Sequence, residues 1–128
     1  MHCLDATFVI DFLAGDQAAV EKAREWTEAG EPLTVPAPVL AETLLGAYFR
    51  GGSYLSDALA LLDALEVLPV GDQVASEAGR MGAEQLHRGV SVSLVDLLIA
   101  ASSKLSGAIL VTRDAVFAQI PGLAVESY

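Results

Sequence analysis

Five short apolar runs, each too brief to be a helix, punctuate this chain: His2 to Leu4, Leu33 to Val35, Val67 to Val70, Ala108 to Val111 and Leu123 to Ser127. Longer stretches with helical spacing separate them, as where Leu55, Ala58, Leu59, Leu62 and Leu65 recur at i, i+3 and i+4. Strands that alternate with helices pair in parallel through crossovers, and helices then cover both faces of the sheet. The fold class this predicts is α/β, a three-layer α/β/α domain with a mostly parallel sheet of four to five strands. At 128 residues the chain suffices for one such domain, spanning 1–128, with one core.

The helices follow from periodicity and stop signals. One runs from Thr7 to Leu13, closed by Gly15, and a second from about Gln17 to Ala29, with Gly30 as its stop. A third extends from Val39 to about Phe49 and ends at Gly51-Gly52, after which Ser53 can cap a fourth. Asp16 and Asp72 precede helices as N-caps. The helix Asp72 to His87 has a face of small residues, Ala75, Ala78, Gly79, Gly82 and Ala83. Each mid-helix glycine costs about 1 kcal/mol of propensity, so either tight packing on the sheet or a contact between two copies should offset it. Ser93 to Ser106 is apolar nearly all round, which predicts a buried helix. A short helix to Ile120 and the turn Pro121-Gly122 lead to the last strand.

Composition limits the function classes. Hydrophobic residues are 53% of the chain and mean hydropathy is +0.48, yet no run of apolar residues is long enough to cross a membrane. No basic start with an apolar segment and cleavage site occurs, so no signal peptide is expected. The surplus apolar surface reads as a protein interface, with a second copy or a dedicated partner. Acids outnumber bases 17 to 7, a formal charge of −10, which disfavours nucleic acid unless the acids gather divalent cations. Cys3 is the only cysteine, so no internal disulfide forms and a reducing cytoplasm fits; in a core strand it is a small buried hydrophobe. His2 and His87 lack zinc-ligand spacing, no serine sits in a nucleophile elbow, and no glycine loop follows the first strand.

Four acids fall where a parallel sheet gathers ligand-binding groups, at strand carboxyl ends and the helix starts beside them. Asp5 follows the first strand and Asp114 nearly follows the fourth; Glu42 lies early in the third helix and Asp96 in the first turn of the apolar one. Singly, three have ordinary explanations. Ser93-Leu94-Val95-Asp96 resembles a capping box, Asp114 can cap the final helix, and Glu42 can face water. Asp5 has no such role. Jointly, four carboxylates on one edge suit a hard cation, Mg²⁺ or Mn²⁺, and phosphodiester hydrolysis. Thr7 and Thr112 are placed to orient a ligand or to bond locally, and Arg113 to steady a phosphate or to be solvated. Asp11, Asp57, Asp63 and Glu66 read as outward-facing.

These residues resemble a known family. L-D-A-T-F-V-I-D-F-L, the glutamate of V-L-A-E-T, H-R-G-V-S-V-S-L-V-D-L-L-I-A-A and I-L-V-T-R-D-A-V-F-A-Q-I-P-G-L-A-V look like a PIN domain, in the order the family has them and across essentially the whole chain. The resemblance is nearest to VapC-type toxins of toxin–antitoxin pairs. It implies an α/β/α fold and a Mg²⁺- or Mn²⁺-dependent endoribonuclease acting on RNA and inhibited by a cognate VapB-type antitoxin; the homodimer is expected from the surplus apolar surface, and the cytoplasm from the single cysteine. By motif match the catalytic set is Asp5, Glu42, Asp96 and Asp114, with Asp5, Asp96 and Asp114 as metal ligands and Thr7, Thr112 and Arg113 in support. Ala6 stands where the family usually has Thr, and Val116 where it often has a further polar group, which favours one ion over two. The resemblance also implies an antitoxin groove among the early helices, with Phe8, Phe12, Trp26 and Tyr54 as candidates.

Two other readings are open. A haloacid-dehalogenase-like phosphatase also starts with an aspartate after its first strand, but needs a second two residues on, where this chain has Thr7. A catalytically silent PIN-like module would bind protein or RNA and give no reason to retain all four acids.

Overall fold

The computed structural model describes residues 1–128 and contains one sheet of five strands, β1 His2–Leu4, β2 Leu33–Pro36, β3 Glu66–Leu68, β4 Ile109–Val111 and β5 Val125–Glu126. All pair in parallel, in the order β3-β2-β1-β4-β5. The register aligns Cys3 with both Thr34 and Leu110. Six helices connect the strands: α1 Ala6–Leu13, α2 Gln17–Glu28, α3 Ala37–Arg50, α4 Gly52–Asp63, α5 Asp72–His87 and α6 Leu94–Leu105. Residues Ala115–Gln119 form a 3₁₀ turn rather than an α-helix.

The chain builds outward from β1 to β3 and then returns to add β4 on the other side. Strand order therefore reverses between β1 and β4, and such a switch point opens a crevice beyond the strand carboxyl ends. All three residues of β1 are buried, as a central parallel strand requires. Cys3, Val35, Leu110 and Val111 at the sheet, Phe8 and Val9 of α1, and Ile99, Ala100 and Ala101 of α6 form the centre of the core. Each large apolar side chain buried there contributes about 1.5–3 kcal/mol. At the opposite end of β1, His2 stacks on Trp26 with ring centroids 4.3 Å apart, and its Nε2 lies 3.0 Å from Glu126 Oε2. Its Nδ1 is 3.1 Å from Glu31 Oε1, near enough for an ion pair but without hydrogen-bond geometry.

Several sequence expectations shift. Edge strand β3 ends at Leu68, two residues short of Val70, because Pro69 has no N–H for the ladder. Helix α3 begins at Ala37, ahead of Val39, since Pro38 in a first turn lacks only an N–H that would be unpaired anyway. Ser53 does not cap α4; Gly51, at φ +69°, stands in that place without a side-chain bond. Asp72 is likewise inside α5, capped by Gly71, whereas Asp16 does cap α2 by accepting from Ala19 N–H. The small face of α5 packs on α6 rather than on the sheet. A Cβ on Gly82 would sit 2.8 Å from Leu97 Cδ1, while one on Gly79 would meet nothing. Finally, α6 is buried only along Leu97 and Ile99 to Ser103; Leu94 is 65% exposed and Val95 and Leu105 are exposed too.

Candidate active site

Asp5 ends β1 and is the N-terminal flank of α1, extended at φ −78° and ψ 163°, and its side chain caps nothing. It is 4% exposed, so its carboxylate needs partners. Two threonines supply them: Thr112 Oγ1 donates to Oδ2 at 2.7 Å and Thr7 Oγ1 at 3.2 Å. The same hydroxyls accept backbone protons, Thr112 from Asp114 N–H at 3.0 Å and Thr7 from Arg113 N–H at 3.2 Å. Both donors to Asp5 thus use Oδ2. Its Oδ1 receives no bond from protein and is not sealed from solvent. The local-bonding and site-orienting roles anticipated for the two threonines are one and the same.

The other three acids arrive as the topology requires. Asp96 lies in the first turn of α6, where Ser93 Oγ accepts from its N–H at 3.1 Å; half of the capping box therefore forms. Asp114 caps the 3₁₀ turn, its Oδ1 accepting from Val116 N–H at 3.0 Å. Glu42 is in the second turn of α3, largely exposed. Ordinary structural roles thus hold for Asp96 and Asp114, and neither role uses up the carboxylate. Partial burial, then the negative charges of Asp5 and Asp96, raises the Glu42 carboxyl above its ordinary range. Burial likewise raises Asp96, with Asp114 and Asp5 adding to it against the lowering effect of Ser93. The four acids are electrostatically linked, and none has a basic partner in any ion pair.

A free carboxylate oxygen on a buried aspartate, beside acids with unneutralised charge, is a donor set for a hard cation. As the side chains stand, no three of the acids lie close enough to share one ion. Mg²⁺ is commonly held by only one or two carboxylates with water completing the shell, so the set fits one such ion. Val116, half-buried beside Asp114, adds no ligand for a second.

Arg113 is not free to steady a phosphate. Its guanidinium is bound by Asp11 and Asp16 and lies over the Tyr128 ring. Asp11 is accordingly not the plain outward-facing acid its sequence suggested. Nothing in the amino-acid sequence signals this group, since Asp11 and Arg113 are 102 residues apart and carry no motif.

A cavity of about 520 Å³ opens on α1, α2, α4 and the start of β2, lined by Phe8, Phe12, Ala23, Leu33, Leu61 and Leu65 among others. Phe8 and Phe12 are in it as expected. Trp26 and Tyr54 are not: Trp26 is packed on His2 and Phe8, and Tyr54 lies under Arg50, 4.3 Å from its ring centroid. Elsewhere the outer face of α3 exposes Leu45 (75%), Tyr48 (62%) and Phe49 (93%), next to α6 with its exposed Leu94.

The fold is a doubly wound α/β domain with an all-parallel sheet whose strand order reverses between β1 and β4, and Asp5 ends β1 at that reversal. The family follows from the sequence itself: a model of the PIN domain matches residues 2–123, and this chain belongs to the PIN domain family. No functionally curated protein matches it. Solved structures do. A chain of VapBC2 from Rickettsia felis, crystallised with promoter DNA, superposes with TM-score 0.88 at 20% identity, covering 99% of this chain and 98% of that one. The toxin–antitoxin system VapBC-5 from Mycobacterium tuberculosis gives 0.68 at 28%, covering 98% and 95%. VapC20 of M. tuberculosis, a toxin that cleaves the sarcin–ricin loop, gives 0.70 at 21%, covering 97% and 99%.

Proposed function

We propose that this chain is a VapC-like endoribonuclease, the toxin of a toxin–antitoxin pair, hydrolysing RNA phosphodiester bonds at Asp5, Glu42, Asp96 and Asp114 with Mg²⁺ or Mn²⁺. What supports this reading is Asp5, buried at the carboxyl end of β1 with Oδ1 open, together with Glu42 and Asp96, whose carboxyls are raised partly by neighbouring acids, and with none of the four acids in an ion pair. Membership of the PIN family and the likeness to a ribonuclease toxin support it.

Asp5, Asp96 and Asp114 are the acids that would hold the ion, one or two of them directly and the rest through its water, and the ion when bound would activate water and stabilise charge on the leaving oxygen. Thr112 and Thr7 occupy Asp5 Oδ2 and so would leave Oδ1 available to an ion. Glu42, in the second turn of α3, holds a proton more readily than a free carboxylate. That suits it to accept a proton from the attacking water. The acidic surface is compatible with RNA only when the cation is present, because five of the seven basic residues are engaged in ion pairs within the protein.

The apolar cavity at Phe8 and Phe12 is the seat we assign to a VapB-type antitoxin, and the α3 face at Leu45 and Phe49 to a second copy of the chain. The structural relatives solved as toxin–antitoxin complexes support the first assignment. No helix is long and apolar enough to cross a membrane, which is compatible with action on cytoplasmic RNA. The deciding experiment is cleavage of a structured RNA by purified protein with Mg²⁺ or Mn²⁺. Cleavage should stop in EDTA and in Asp5→Asn with the circular-dichroism spectrum unchanged; full activity in EDTA overturns the reading.

A further inference from the structure

The engagement of Arg113 is more extensive than an exposed turn arginine requires. Its Nη1 donates to Asp11 Oδ2 and to Asp16 Oδ2, both at 3.2 Å, and its Nη2 donates to Asp16 Oδ1 at 3.3 Å. Its Nε donates to the Tyr128 carbonyl at 3.1 Å, and the guanidinium plane sits 4.1 Å from the Tyr128 ring centroid. Tyr128 is fixed in turn: its hydroxyl donates to Asp11 Oδ2 at 2.7 Å and its ring meets Phe8 edge-on at 5.0 Å. A planar fork held on two carboxylates and one aromatic face has a single orientation. Its partners come from α1, the start of α2 and the chain beyond β5, so Arg113 joins three separate elements to the turn after β4.

That turn carries the site. The backbone N–H of Arg113 donates to Thr7 Oγ1 and that of Asp114 to Thr112 Oγ1, and both hydroxyls donate to Asp5 Oδ2. Movement of residues 112–114 would therefore disturb Asp114 and both supports of Asp5 together. We propose that Arg113, gripped by Asp11, Asp16 and Tyr128, is a positioning residue that locks this turn and so sets Asp114, Thr112 and Asp5 in register for the metal ion. The inference rests on the reading of these acids as a metal site.

The sign of one measurement separates positioning from plain charge. A cation beside a cation site opposes binding, so if Arg113 acted only as a charge, Arg113→Ala would tighten Mn²⁺ binding. A brace predicts the reverse. Titration calorimetry of the full chain with MnCl₂ should give about tenfold weaker binding for Arg113→Ala and about threefold for Tyr128→Phe. Arg80→Ala, which breaks an ion-paired guanidinium on α5, is the control and should change nothing. Amide hydrogen exchange of Arg113 and Asp114 in metal-free protein should speed up about tenfold in Arg113→Ala and not in Arg80→Ala. If Arg113→Ala does not fold, Tyr128→Phe and Asp16→Asn carry both readouts. Mn²⁺ binding that is unchanged or tighter, with unchanged exchange, overturns the brace. If the wild-type chain binds no Mn²⁺, the proposed function fails, and the exchange rates alone decide whether the brace exists.

Discussion

At the scale of single residues, the acids of the site differ in how far the fold has compensated them. Asp5 is buried but has two hydroxyl donors, whereas Asp96 and Glu42 face other carboxylates with little to offset them. Substituting a repelled carboxylate by its amide should stabilise the metal-free protein while harming activity, as stability and function often trade at sites. Asp96→Asn is expected to raise Tm at pH 7 by about 2 °C at low salt, and less at high salt, since the group is only half-buried. Its RNA cleavage should fall by on the order of a hundredfold. A melt in which Asp96→Asn is destabilised would mean that the carboxylate is already compensated without metal. Asp5→Asn should lose cleavage to at least the same extent but gain no stability, because it weakens hydrogen bonds that hold it.

At the scale of elements, the two glycines of α5 look equivalent in sequence and are not. Gly79 has open space where a Cβ would be, so Gly79→Ala should stabilise by about 1 kcal/mol through helix propensity alone. Gly82→Ala gains the same propensity but pushes Leu97 Cδ1, at 2.8 Å, into a different rotamer at the α5–α6 contact. Urea unfolding should show a higher midpoint for the first and no gain or a loss for the second. Equal gains would show that α6 yields freely to α5. Which glycine mattered was illegible in the sequence, because three residues' offset on one helix decides which side chain meets Leu97.

At the scale of the whole molecule, the balance of shifted carboxyls sets how stability depends on pH. Glu42 and Asp96 hold protons more tightly folded than unfolded, so their contribution is complete at low pH and falls as pH rises through and above the ordinary carboxylate range. Glu77, held down to about 2 by hydrogen bonds from Arg80 and Lys104, and Asp16, held down by the Ala19 N–H and Arg113, act oppositely. Their stabilisation is complete above the ordinary carboxylate range and is lost as pH falls. Metal-free protein should therefore be most stable at mildly acidic pH. Added Mn²⁺ should raise Tm more at pH 7 than at pH 5, since its ligands must be deprotonated. Equal Mn²⁺ shifts at both pH values would count against the acid cluster as its site. If the exposed α3 face joins two copies, Phe49→Glu should yield a monomer by sedimentation without loss of helicity, and no change in mass would remove α3 as the contact between copies.

What the residues determined by themselves was the alternation of short apolar strands with helices, hence a parallel sheet, and the position of Asp5 at the end of β1 and of Asp96 in the first turn of α6. Those features are local, carried by periodicity, strand length and motif, and they are legible because a parallel sheet puts every strand's carboxyl end on one side. The tertiary structure alone decided the strand order that puts β4 against β1, and so brings Thr112 to Asp5. It also decided that α6 is buried on one side only, that Asp5 is held through two threonines, and that Arg113 faces Asp11, Asp16 and Tyr128 rather than a phosphate. The bonds from Thr112 to Asp5 and from Arg113 to Asp11 and Asp16 join residues about a hundred positions apart, and nothing in local propensity encodes them; they exist because the parallel pairing of β1 with β4 brings the turn after β4 beside α1.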